Sequence, residues 1–385
     1  QARGTGEAAS AGVGAVDTPR TMILYGDTPL VRPADIAELD EALRADDCPL
    51  AFLSAIVSDP RGYGRVLRDA SGRVTTIREH RDLVGPAEHA VNEVNAGVYV
   101  ADTAELVGAL ERLSPENAQR EYYLTDIVAD LARERRVIAV QGDPDALVGV
   151  NDRAQLRRAE QLLWARKATE LGQRGVTIRG EVYVDDSVSV EADAVLEPGV
   201  RLRGNTSVGS GALIDVGCVV TDSKIHAKAE LLPYSVVTQS EVFGGAHVGP
   251  FSHLRPGSTL EMGAKVGGFV ETKNTRLRPG AKANHLAYLG DADIGERVNV
   301  GAGVIVCNYD GFRKHRTTVG ADTFIGSDSQ LIAPVTIGKN AYVATATSVT
   351  HDVPDDALAI GRTRQQNKLG YATTLKERLG QAAKK

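Results

Sequence analysis

The chain has 385 residues, a length that accommodates two or three domains. Its apolar and charged fractions, 42% and 24%, are ordinary for a globular protein, and its net charge of −6 lacks the basic surplus of nucleic-acid-binding proteins. No apolar stretch reaches the ~18 residues of a membrane span, and the three cysteines lack metal-ligand spacing. We therefore expect a cytoplasmic protein with reduced thiols and neither a membrane nor a nucleic-acid partner.

Residues 21–150 alternate between strand-like and helix-like segments. The apolar runs typical of strands are 21–25, 50–57, 93–100 and 137–140. Helical spacing is found over 33–45 and between 101 and 136. Strands alternating with helices predict an α/β domain with a mostly parallel sheet. A charged segment from Asn151 to Leu171 also has helical spacing, and its leucines 156, 162, 163 and 171 predict an apolar stripe on a linking helix.

An aspartate directly follows the first predicted strand, in Tyr25-Gly26-Asp27. Ligands of parallel sheets collect at the carboxyl ends of strands. Mg²⁺ favours one or two carboxylates together with phosphate oxygens. Asp27 is therefore a candidate metal ligand, although Gly-Asp after a strand is also typical of an ordinary turn.

From residue 190 onward, aliphatic residues recur every six positions. The runs are Val190, Leu196, Leu202, Val208, Ile214, Val220; Val248, Leu254, Leu260, Val266; Ile294, Val300, Val306; and Val319, Ile325, Leu331, Ile337, Val343, Val349. This period fits neither an α-helix nor a single strand. It is typical of a hexapeptide β-helix, whose coils must stack because none buries its core alone. A β-sandwich of short strands is the alternative, but it would alternate with a period of two.

The repeat is interrupted between Val266 and Ile294 and between Val306 and Val319, where polar residues concentrate. Interruptions predict loops, and loops on a rigid scaffold commonly carry binding and catalytic residues. His285, in the first interruption, is a candidate general base because a neutral imidazole accepts a proton near pH 7. A loop histidine is otherwise simply a surface residue. The second interruption contains a turn signature, Cys307-Asn308-Tyr309-Asp310-Gly311.

Six motifs of the first domain occur in an order that resembles the sugar nucleotidyltransferases. They are Gly4-Thr5-Gly6, Tyr25-Gly26-Asp27, Gly62-Tyr63-Gly64-Arg65, Glu79, Glu93-Val94-Asn95-Ala96-Gly97 and Val150-Asn151-Asp152-Arg153. With the repeats behind them and the segment Asn284 to Asp291, they resemble the bacterial family of bifunctional N-acetylglucosamine-1-phosphate uridyltransferases and glucosamine-1-phosphate N-acetyltransferases. The resemblance covers almost the whole chain.

The resemblance implies a four-part organisation. Residues 1–153 would form an α/β nucleotidyltransferase domain of Rossmann-like fold, 154–174 a linker helix, 175–373 a left-handed parallel β-helix of hexapeptide repeats, and 374–385 a mobile basic tail. The family's glycine-rich phosphate loop and its lysine are not among the printed residues, so this domain is expected to be incomplete at its N-terminus. Such acyltransferases assemble as trimers with sites between subunits, which implies a homotrimer.

For the first domain, the resemblance implies uridyl transfer from UTP to N-acetylglucosamine 1-phosphate. Asp27 and Asn151 would bind Mg²⁺. The substrate-binding residues would be Gly4 and Thr5 at uracil, Tyr25 and Asp27 at the nucleotide, and Gly64, Glu79, Asn95 and Asn151 around the sugar nucleotide. Glu7 departs from the family, which usually has histidine at this position. Transfer of this kind needs phosphate-charge neutralisation and positioning more than any covalent step.

For the β-helix, the resemblance implies acetyl transfer from acetyl-CoA to glucosamine 1-phosphate. His285 would deprotonate the amine of glucosamine 1-phosphate, because an ammonium is not a nucleophile. The substrate-binding residues would be Arg255, Lys273, Tyr288, Asn299, Asn308 and Tyr309, with the two cations on the phosphate. The acetyl-CoA contacts would be Ala302, Ser327, Thr345 and Arg362. Thr345 departs from the family's alanine.

Two other functions are compatible with parts of the sequence. One is a non-catalytic hexapeptide-repeat module, and the other is a nucleotidyltransferase for another hexose phosphate with a regulatory solenoid. The presence of His285, Lys273, Arg255 and Asn308 argues against the non-catalytic module, and an assay with glucose 1-phosphate in place of the amino sugar would reveal the other nucleotidyltransferase.

We expect the 385 residues by themselves to catalyse little or no uridyl transfer, because the family's phosphate-cradling loop is not among them. The measurement is formation of UDP-N-acetylglucosamine from UTP and N-acetylglucosamine 1-phosphate. A robust rate would contradict the expectation.

Overall fold

A computed structural model describes residues 3–45, 48–147 and 149–382. The chain divides into two compact units, residues 1–163 and 164–385. The predicted domain boundaries are 153/154, 174/175 and 373/374. The linker helix lies between the first two of them and spans the division at 163/164. None of the described helices has the length and apolar character needed to cross a bilayer.

The first unit contains short helices around one sheet. Its α-helices are α1 (Thr5–Val13), α2 (Pro33–Ala45), α3 (Gly85–His89), α4 (Thr103–Glu111) and α5 (Asp126–Ala132), with 3₁₀ turns at His80–Asp82 and Pro144–Leu147. Its strands are β1 (Arg20–Leu24), β2 (Leu50–Ile56), β3 (Arg65–Arg68), β4 (Val74–Arg78), β5 (Glu93–Asp102) and β6 (Ile138–Gln141). The four predicted strands, which are β1, β2, β5 and β6, and the predicted helix over 33–45 agree with these bounds to within two residues, whereas β3 and β4 were not predicted.

Strand β5 is the centre of this sheet, whose order is β4-β3-β5-β2-β6, with β1 also paired to β5. The expectation of a mostly parallel sheet is wrong for the described strands, because only β2 and β6 pair in parallel. β3 and β4 form a hairpin closed by the turn at Asp69–Arg73, and a turn that short can join only antiparallel strands. β1, β2 and β3 all run antiparallel to β5.

Strand β2 is buried on both faces, which explains its unbroken apolar run. Leu50 and Phe52 pack in one core with residues of α4 and α5. Ala51 and Leu53 point to the opposite face, where they pack in a second core with residues of α2. Because successive strand side chains alternate in direction, a single strand supplies both cores.

The linker helix α6 (Arg153–Gln173) forms as predicted, but its predicted apolar stripe does not. Leu156 and Leu163 are exposed, and only Leu171 of the four leucines is fully buried, in the solenoid core. Lys167 supplies a polar contact instead, since its Nζ donates to the Asp186 carbonyl at 2.9 Å. The C-terminal end of α6 is therefore fixed to the solenoid by packing and by hydrogen bonding.

The second unit is a parallel β-solenoid with three sheets. Sheet I contains Thr177–Ile178, Val195–Leu196, Leu213–Ile214, Glu230–Leu231, His247–Val248, Lys265–Gly268, Lys282–His285, Asn299–Val300, Phe324–Ile325, Tyr342–Val343 and Leu358–Ala359. Sheet II contains Tyr183–Val184, Arg201–Arg203, Val219–Thr221, Val236–Thr238, His253–Leu254, Glu271–Lys273, Tyr288–Gly290, Ile305–Cys307, Gln330–Ile332 and Ser348–Val349. Sheet III contains Ser189–Val190, Ser207–Val208, Lys224–Ile225, Glu241–Val242, Thr259–Leu260, Arg276–Leu277, Ala292–Ile294, Thr317–Val319 and Val335–Ile337.

The six-residue repeat does mark the solenoid core, and all of its aliphatic residues are buried. The first predicted interruption is not a loop, however. Thr272 and Ala283, both fully buried, occupy core positions between Val266 and Ile294, so the coil continues there with smaller side chains. The second interruption is a true insertion, in which Tyr309 and Lys314 pair in a small hairpin.

The corner between sheets I and II carries exposed apolar side chains on left-handed backbone. Tyr234, Phe251, Phe269 and Leu286 have φ angles of 59°, 54°, 59° and 47°. The Tyr234 and Phe251 rings stack with centroids 5.4 Å apart, and the Phe251 and Phe269 rings at 5.5 Å. We call these four residues the corner stripe.

The C-terminal segment, predicted as a mobile basic tail over 374–385, is helical in its described part. Helix α7 (Tyr371–Ala382) has no buried residue. Its side chains therefore contribute no core packing in this chain.

The Leu254→Ala variant is expected to destabilise the solenoid by about 2–5 kcal/mol, because Leu254 is fully buried between two neighbouring coils. Urea unfolding followed by circular dichroism measures the change. Met262→Ala is the control, since Met262 is 68% exposed and its loss should change the unfolding free energy by less than ~0.5 kcal/mol. Equal midpoints for Leu254→Ala and the wild type would contradict the assigned core.

Candidate active sites

A cavity of about 300 Å³ in the first unit lies at the ends of β1 and β5. Its lining includes four of the predicted residues, Tyr25, Asp27, Asn95 and Asn151. The Val150 amide donates to the Asp27 carbonyl at 2.8 Å, which brings the 149–151 segment beside the first strand. Residues far apart in sequence therefore meet here, as the motifs predict.

The carboxylate oxygen Oδ2 of Asp27 and the amide nitrogen Nδ2 of Asn151 are the side-chain polar atoms nearest to Gly149. A Cβ at Gly149 would lie 3.5 Å from Asp27 Oδ2 and 3.8 Å from the Asn151 side-chain amide, so both groups face the same point. No cluster of three or more His, Cys, Asp or Glu metal ligands occurs in the described part of the chain. A cation held here would need further oxygens from water or phosphate, as Mg²⁺ commonly does.

The predicted residues Gly64, Glu79 and Asn95 also lie together. The Asn95 amide donates to the Gly64 carbonyl at 3.0 Å, and a Cβ on Gly64 would lie 3.4 Å from Glu79 Oε1. Asn95 Nδ2 donates to the Tyr99 hydroxyl at 2.7 Å. Tyr99 is fully buried in β5, and its hydrogen bond to Asn95 was not predicted, because nothing in the sequence distinguishes this tyrosine from an ordinary core residue.

Gly4 and Thr5 stand at the start of α1 beside the same network. Thr5 Oγ1 accepts from the Leu124 amide at 3.0 Å, and its hydroxyl also bonds Tyr25. Burial, with a smaller effect of the Glu79 charge, raises the pKa of Tyr25. Gly4 has a φ of 116°, and a Cβ there would clash with the Tyr122 backbone, so only glycine fits.

A second polar cavity of about 300 Å³ is lined by four carboxyl residues, Glu79, Asp82, Glu116 and Asp126. Burial, followed by the charges of Glu79 and Asp82, raises the pKa of Asp126 to about 6. Burial likewise raises the pKa of Glu79, although the Thr125 hydroxyl donates to it at 2.9 Å. The carboxylates therefore cost stability when all are ionised.

In the solenoid, His285 and three predicted acetyl-CoA contacts form one column. Each stands two residues after a core residue of sheet I, and these core residues, Ala283, Val300, Ile325 and Val343, are in register. The column residues are His285, Ala302, Ser327 and Thr345. Because the coils are parallel, successive members are ~4.8 Å apart. We call this set the His285 column.

The His285 column presents backbone donors that are not used within the fold. In the described residues, the N–H groups of Ala302, Ser327 and Thr345 have no hydrogen-bond acceptor. Arg362 joins the far end of the column, where its Nη1 donates to the Thr345 carbonyl at 2.6 Å. His285 itself is exposed at the near end, and its imidazole has no hydrogen-bond partner among the described residues.

At the other edge of sheet II, cationic side chains gather. Leu254 and Thr272 are in register, so Arg255 and Lys273 occupy equivalent positions on adjacent coils. The Lys314 ammonium, through direct contact and charge, lowers the pKa of Lys273, and Arg255 adds to this effect. Glu271 offsets part of the charge by pairing with Arg255 at 2.8 Å. Lys314 was not predicted, because only the hairpin folds it back onto Lys273.

Polar groups converge between the His285 column and these cations. A Cβ on Gly290 would lie 2.6 Å from the Tyr288 hydroxyl and 2.7 Å from Asn308 Nδ2. Asn308 Nδ2 donates to Asp291 Oδ2 at 2.6 Å, and Asn274 Nδ2 donates to Asp291 Oδ1 at 2.7 Å. Although burial opposes ionisation, these hydrogen bonds and the nearby lysines leave the pKa of Asp291 below its ordinary value.

Two predicted substrate-binding residues lie away from this convergence. Asn299 is on the outer face of sheet I, in register with Lys282 and Phe324. Tyr309 is 60% exposed in the hairpin, where its hydroxyl donates to the Gly311 carbonyl at 2.5 Å. Within one chain, therefore, Arg255, Lys273, Tyr288 and Asn308 lie in or directly after strands of sheet II, and the hairpin brings Lys314 beside them, whereas Asn299 lies in sheet I.

An α/β unit with a polar cavity, followed by a hexapeptide-repeat β-helix with the exposed His285 beside a column of unpaired backbone donors, is the arrangement of a bifunctional transferase. No family model matches the chain. The Bifunctional protein GlmU of Sorangium cellulosum is 58% identical over 389 residues, which cover 100% of this chain and 82% of that protein. The Bifunctional protein GlmU of Trichlorobacter lovleyi is 45% identical over 374 residues, covering 96% of this chain and 81% of that protein.

Among solved structures, a Francisella novicida UDP-N-acetylglucosamine acyltransferase is similar with a TM-score of 0.30 and 17% identity, over 53% of this chain and 74% of that one. The sequence relatives are far closer. The chain belongs to the GlmU family. The membership predicted from the motifs is confirmed, and the chain is a bifunctional enzyme of UDP-N-acetylglucosamine synthesis.

The Asp126→Asn variant is expected to raise the thermal midpoint of the first unit at pH 7.5 but not at pH 4. The folded-state pKa of Asp126, about 6, exceeds its ordinary value of 3.8, so the wild type loses stability as the pH rises through this interval. A position at the start of α5 favours the ionised form of Asp126, but burial disfavours that form more strongly. Differential scanning calorimetry from pH 4 to 8 measures the thermal midpoints of the variant and the wild type.

Asp17→Asn is the matched control, because Asp17 is exposed. Its midpoint should follow that of the wild type across the whole pH range. A difference between Asp126→Asn and the wild type that is independent of pH would contradict the raised pKa.

Proposed function

We propose that the solenoid transfers the acetyl group of acetyl-CoA to glucosamine 1-phosphate, with His285 as the general base. The observation that carries this proposal is the gathering of Arg255, Lys273 and Lys314 on one edge of sheet II. Three cations at close range repel one another, and a phosphate dianion offsets that repulsion. Their contact is costly in the free protein and favourable only with an anion bound.

Acetyl-CoA is assigned to the His285 column. The pantetheine arm carries successive amide groups, and the free N–H groups of Ala302, Ser327 and Thr345 offer hydrogen-bond donors at intervals of one coil. Arg362 lies at the end of the column remote from His285, where it would meet the nucleotide phosphates. This direction places the thioester near His285. Thr345 stands where the family has alanine. Among the described residues its backbone N–H still has no acceptor and remains available to the ligand.

The chemistry follows from these positions. His285 takes a proton from the ammonium group of glucosamine 1-phosphate, and the resulting amine attacks the thioester carbonyl carbon. That first proton passes from the imidazole to solvent. As the N–C bond forms, His285 takes the second proton from the attacking nitrogen, and as the C–S bond breaks it gives that proton to the departing CoA thiolate. Tyr288, Asn299, Asn308 and Tyr309 would bind the sugar. A backbone or side-chain amide donor of the Asn308–Tyr309 segment would stabilise the negative charge on the tetrahedral carbonyl oxygen.

For the first unit, we assign the cavity at the ends of β1 and β5 to UTP and N-acetylglucosamine 1-phosphate. Asp27 and Asn151 would hold Mg²⁺, which neutralises phosphate charge when bound. Gly4, Thr5 and Tyr25 would contact the nucleotide. Gly64, Glu79 and Asn95 would position the amino sugar, with Asn95 oriented by Tyr99.

We further propose that the protein is a cytoplasmic homotrimer. The corner stripe supports self-association, because its residues are 50–65% exposed and form one continuous apolar surface. Leu286, the last member, directly follows His285. A second copy seated on the stripe would therefore border the catalytic histidine and supply residues, such as Asn299, that lie on another face of the solenoid.

The His285→Ala variant is expected to remain trimeric and to lose acetyl transfer by about 10²–10⁴-fold, the usual contribution of a general base. Release of free thiol from acetyl-CoA in the presence of glucosamine 1-phosphate measures the rate, and sedimentation analysis reports assembly. Near wild-type activity in the variant would remove His285 from the mechanism.

The same assay discriminates the other two functions. A wild-type protein that releases no thiol would be a non-catalytic repeat module. Glucose 1-phosphate has no amine, so it should not support thiol release, and its use in uridyl transfer would indicate a nucleotidyltransferase for another hexose.

A further inference from the structure

The hairpin of residues 307–316, which leads from sheet II to sheet III, contains a hydrogen-bonded pair of side chains that the chemistry above does not use. His315 Nε2 donates to Asp310 Oδ2 at 2.7 Å. The pair is only partly exposed, at 29% for the His315 side chain and 46% for that of Asp310. It joins the two arms of the hairpin at the residue that directly follows Lys314. We call it the hairpin clamp.

Asp310 organises the whole turn. Its Oδ1 accepts from the amides of Phe312 and Arg313 at 2.8 and 2.7 Å. Its own amide donates to the Arg313 carbonyl at 3.2 Å. One carboxylate thus binds three donors, two from the backbone and one from His315, and these bonds fix the residues before and after Lys314.

His315 connects this turn to the substrate site. Its amide donates to the Asn308 carbonyl at 2.8 Å, and Tyr309 pairs with Lys314 across the hairpin. The backbone of Asn308, whose side chain bonds Asp291, is therefore tied to the backbone of His315. Rotation of the hairpin at this point would move Asn308 and Lys314 together.

Lys314 needs such a restraint. It lies against Lys273, with Arg255 nearby, so electrostatic repulsion favours a hairpin that swings away from the solenoid. The Tyr309–Lys314 pairing and the tight turn oppose this motion only if the two ends of the hairpin stay together. The Asp310–His315 bond is the side-chain contact that holds them.

We propose that Asp310 and His315 are positioning residues for the sugar phosphate, which act by holding Lys314 against Lys273 before substrate arrives. This inference rests on the proposed function, since it takes the three cations as the phosphate site. Pre-organisation lowers the cost of binding the phosphate without changing the proton transfer at His285. The clamp therefore affects KM for glucosamine 1-phosphate and leaves kcat and KM for acetyl-CoA unchanged.

The test compares His315→Ala with His315→Gln, because the Gln amide can restore a donor near the position of Nε2. We expect His315→Ala to raise KM for glucosamine 1-phosphate about tenfold. Its kcat should stay within about twofold of the wild-type value. His315→Gln should remain within about twofold of the wild type in both parameters. Calorimetric titration with glucosamine 1-phosphate gives the same comparison independently of turnover.

A double-mutant cycle with Lys314→Ala separates this inference from the proposed function. If His315 acts through Lys314, the double variant should bind no more weakly than Lys314→Ala alone. Unchanged KM and unchanged affinity in Lys314→Ala would overturn the proposed phosphate site. A Lys314→Ala defect without one in His315→Ala, or fully additive defects, would overturn the clamp and leave the phosphate site standing.

Discussion

In-register stacking of parallel coils is the constraint on which the solenoid and its site depend. Each coil buries one aliphatic side chain per face, and the ladder of hydrogen bonds fixes equivalent positions of successive coils ~4.8 Å apart. Any residue at a corner is thereby placed in a straight column. The His285 column and the adjacent positions of Arg255 and Lys273 both follow from this geometry. The candidate site is thus built mainly on stacked coils, and the inserted hairpin adds Lys314 to it.

The cations of the candidate site repel one another in the free protein, and the proposed phosphate-bearing substrate would bring the opposite charge. Arg255, Lys273 and Lys314 lie along one edge of sheet II. The ionised form of Asp291, by contrast, is stabilised by two amide donors and by the nearby lysines. The fold tolerates the cations because they are solvated at the surface and because Glu271 pairs with one of them. In the first unit the sign is reversed, since Glu79 and Asp126 are partly buried carboxyl groups whose pKa values are raised.

The sequence was least informative where small side chains replaced larger ones. Thr272 and Ala283 break the aliphatic pattern, yet they fill the same core positions, so the predicted loop around His285 is a continuous coil. Periodicity shows which positions face inward only when the residues there are recognisably apolar. In the linker helix the error was the opposite one, since the sequence predicted an apolar stripe that the structure lacks. Three of its four leucines are not fully buried, and Lys167 contributes a buried contact instead.

The sequence by itself determined the repeat, the motifs and hence the family, because hydrophobic period and short motifs are local properties of the chain. It also identified most of the residues that the structure brings together, such as Gly64 with Asn95 and Ala302 with Ser327. Only the tertiary structure decided the direction of the strands around β5, the continuity of the coil at His285 and the approach of Lys314 to Lys273. These depend on which segments pair and where a hairpin folds, and such long-range contacts leave no periodic trace in a single sequence.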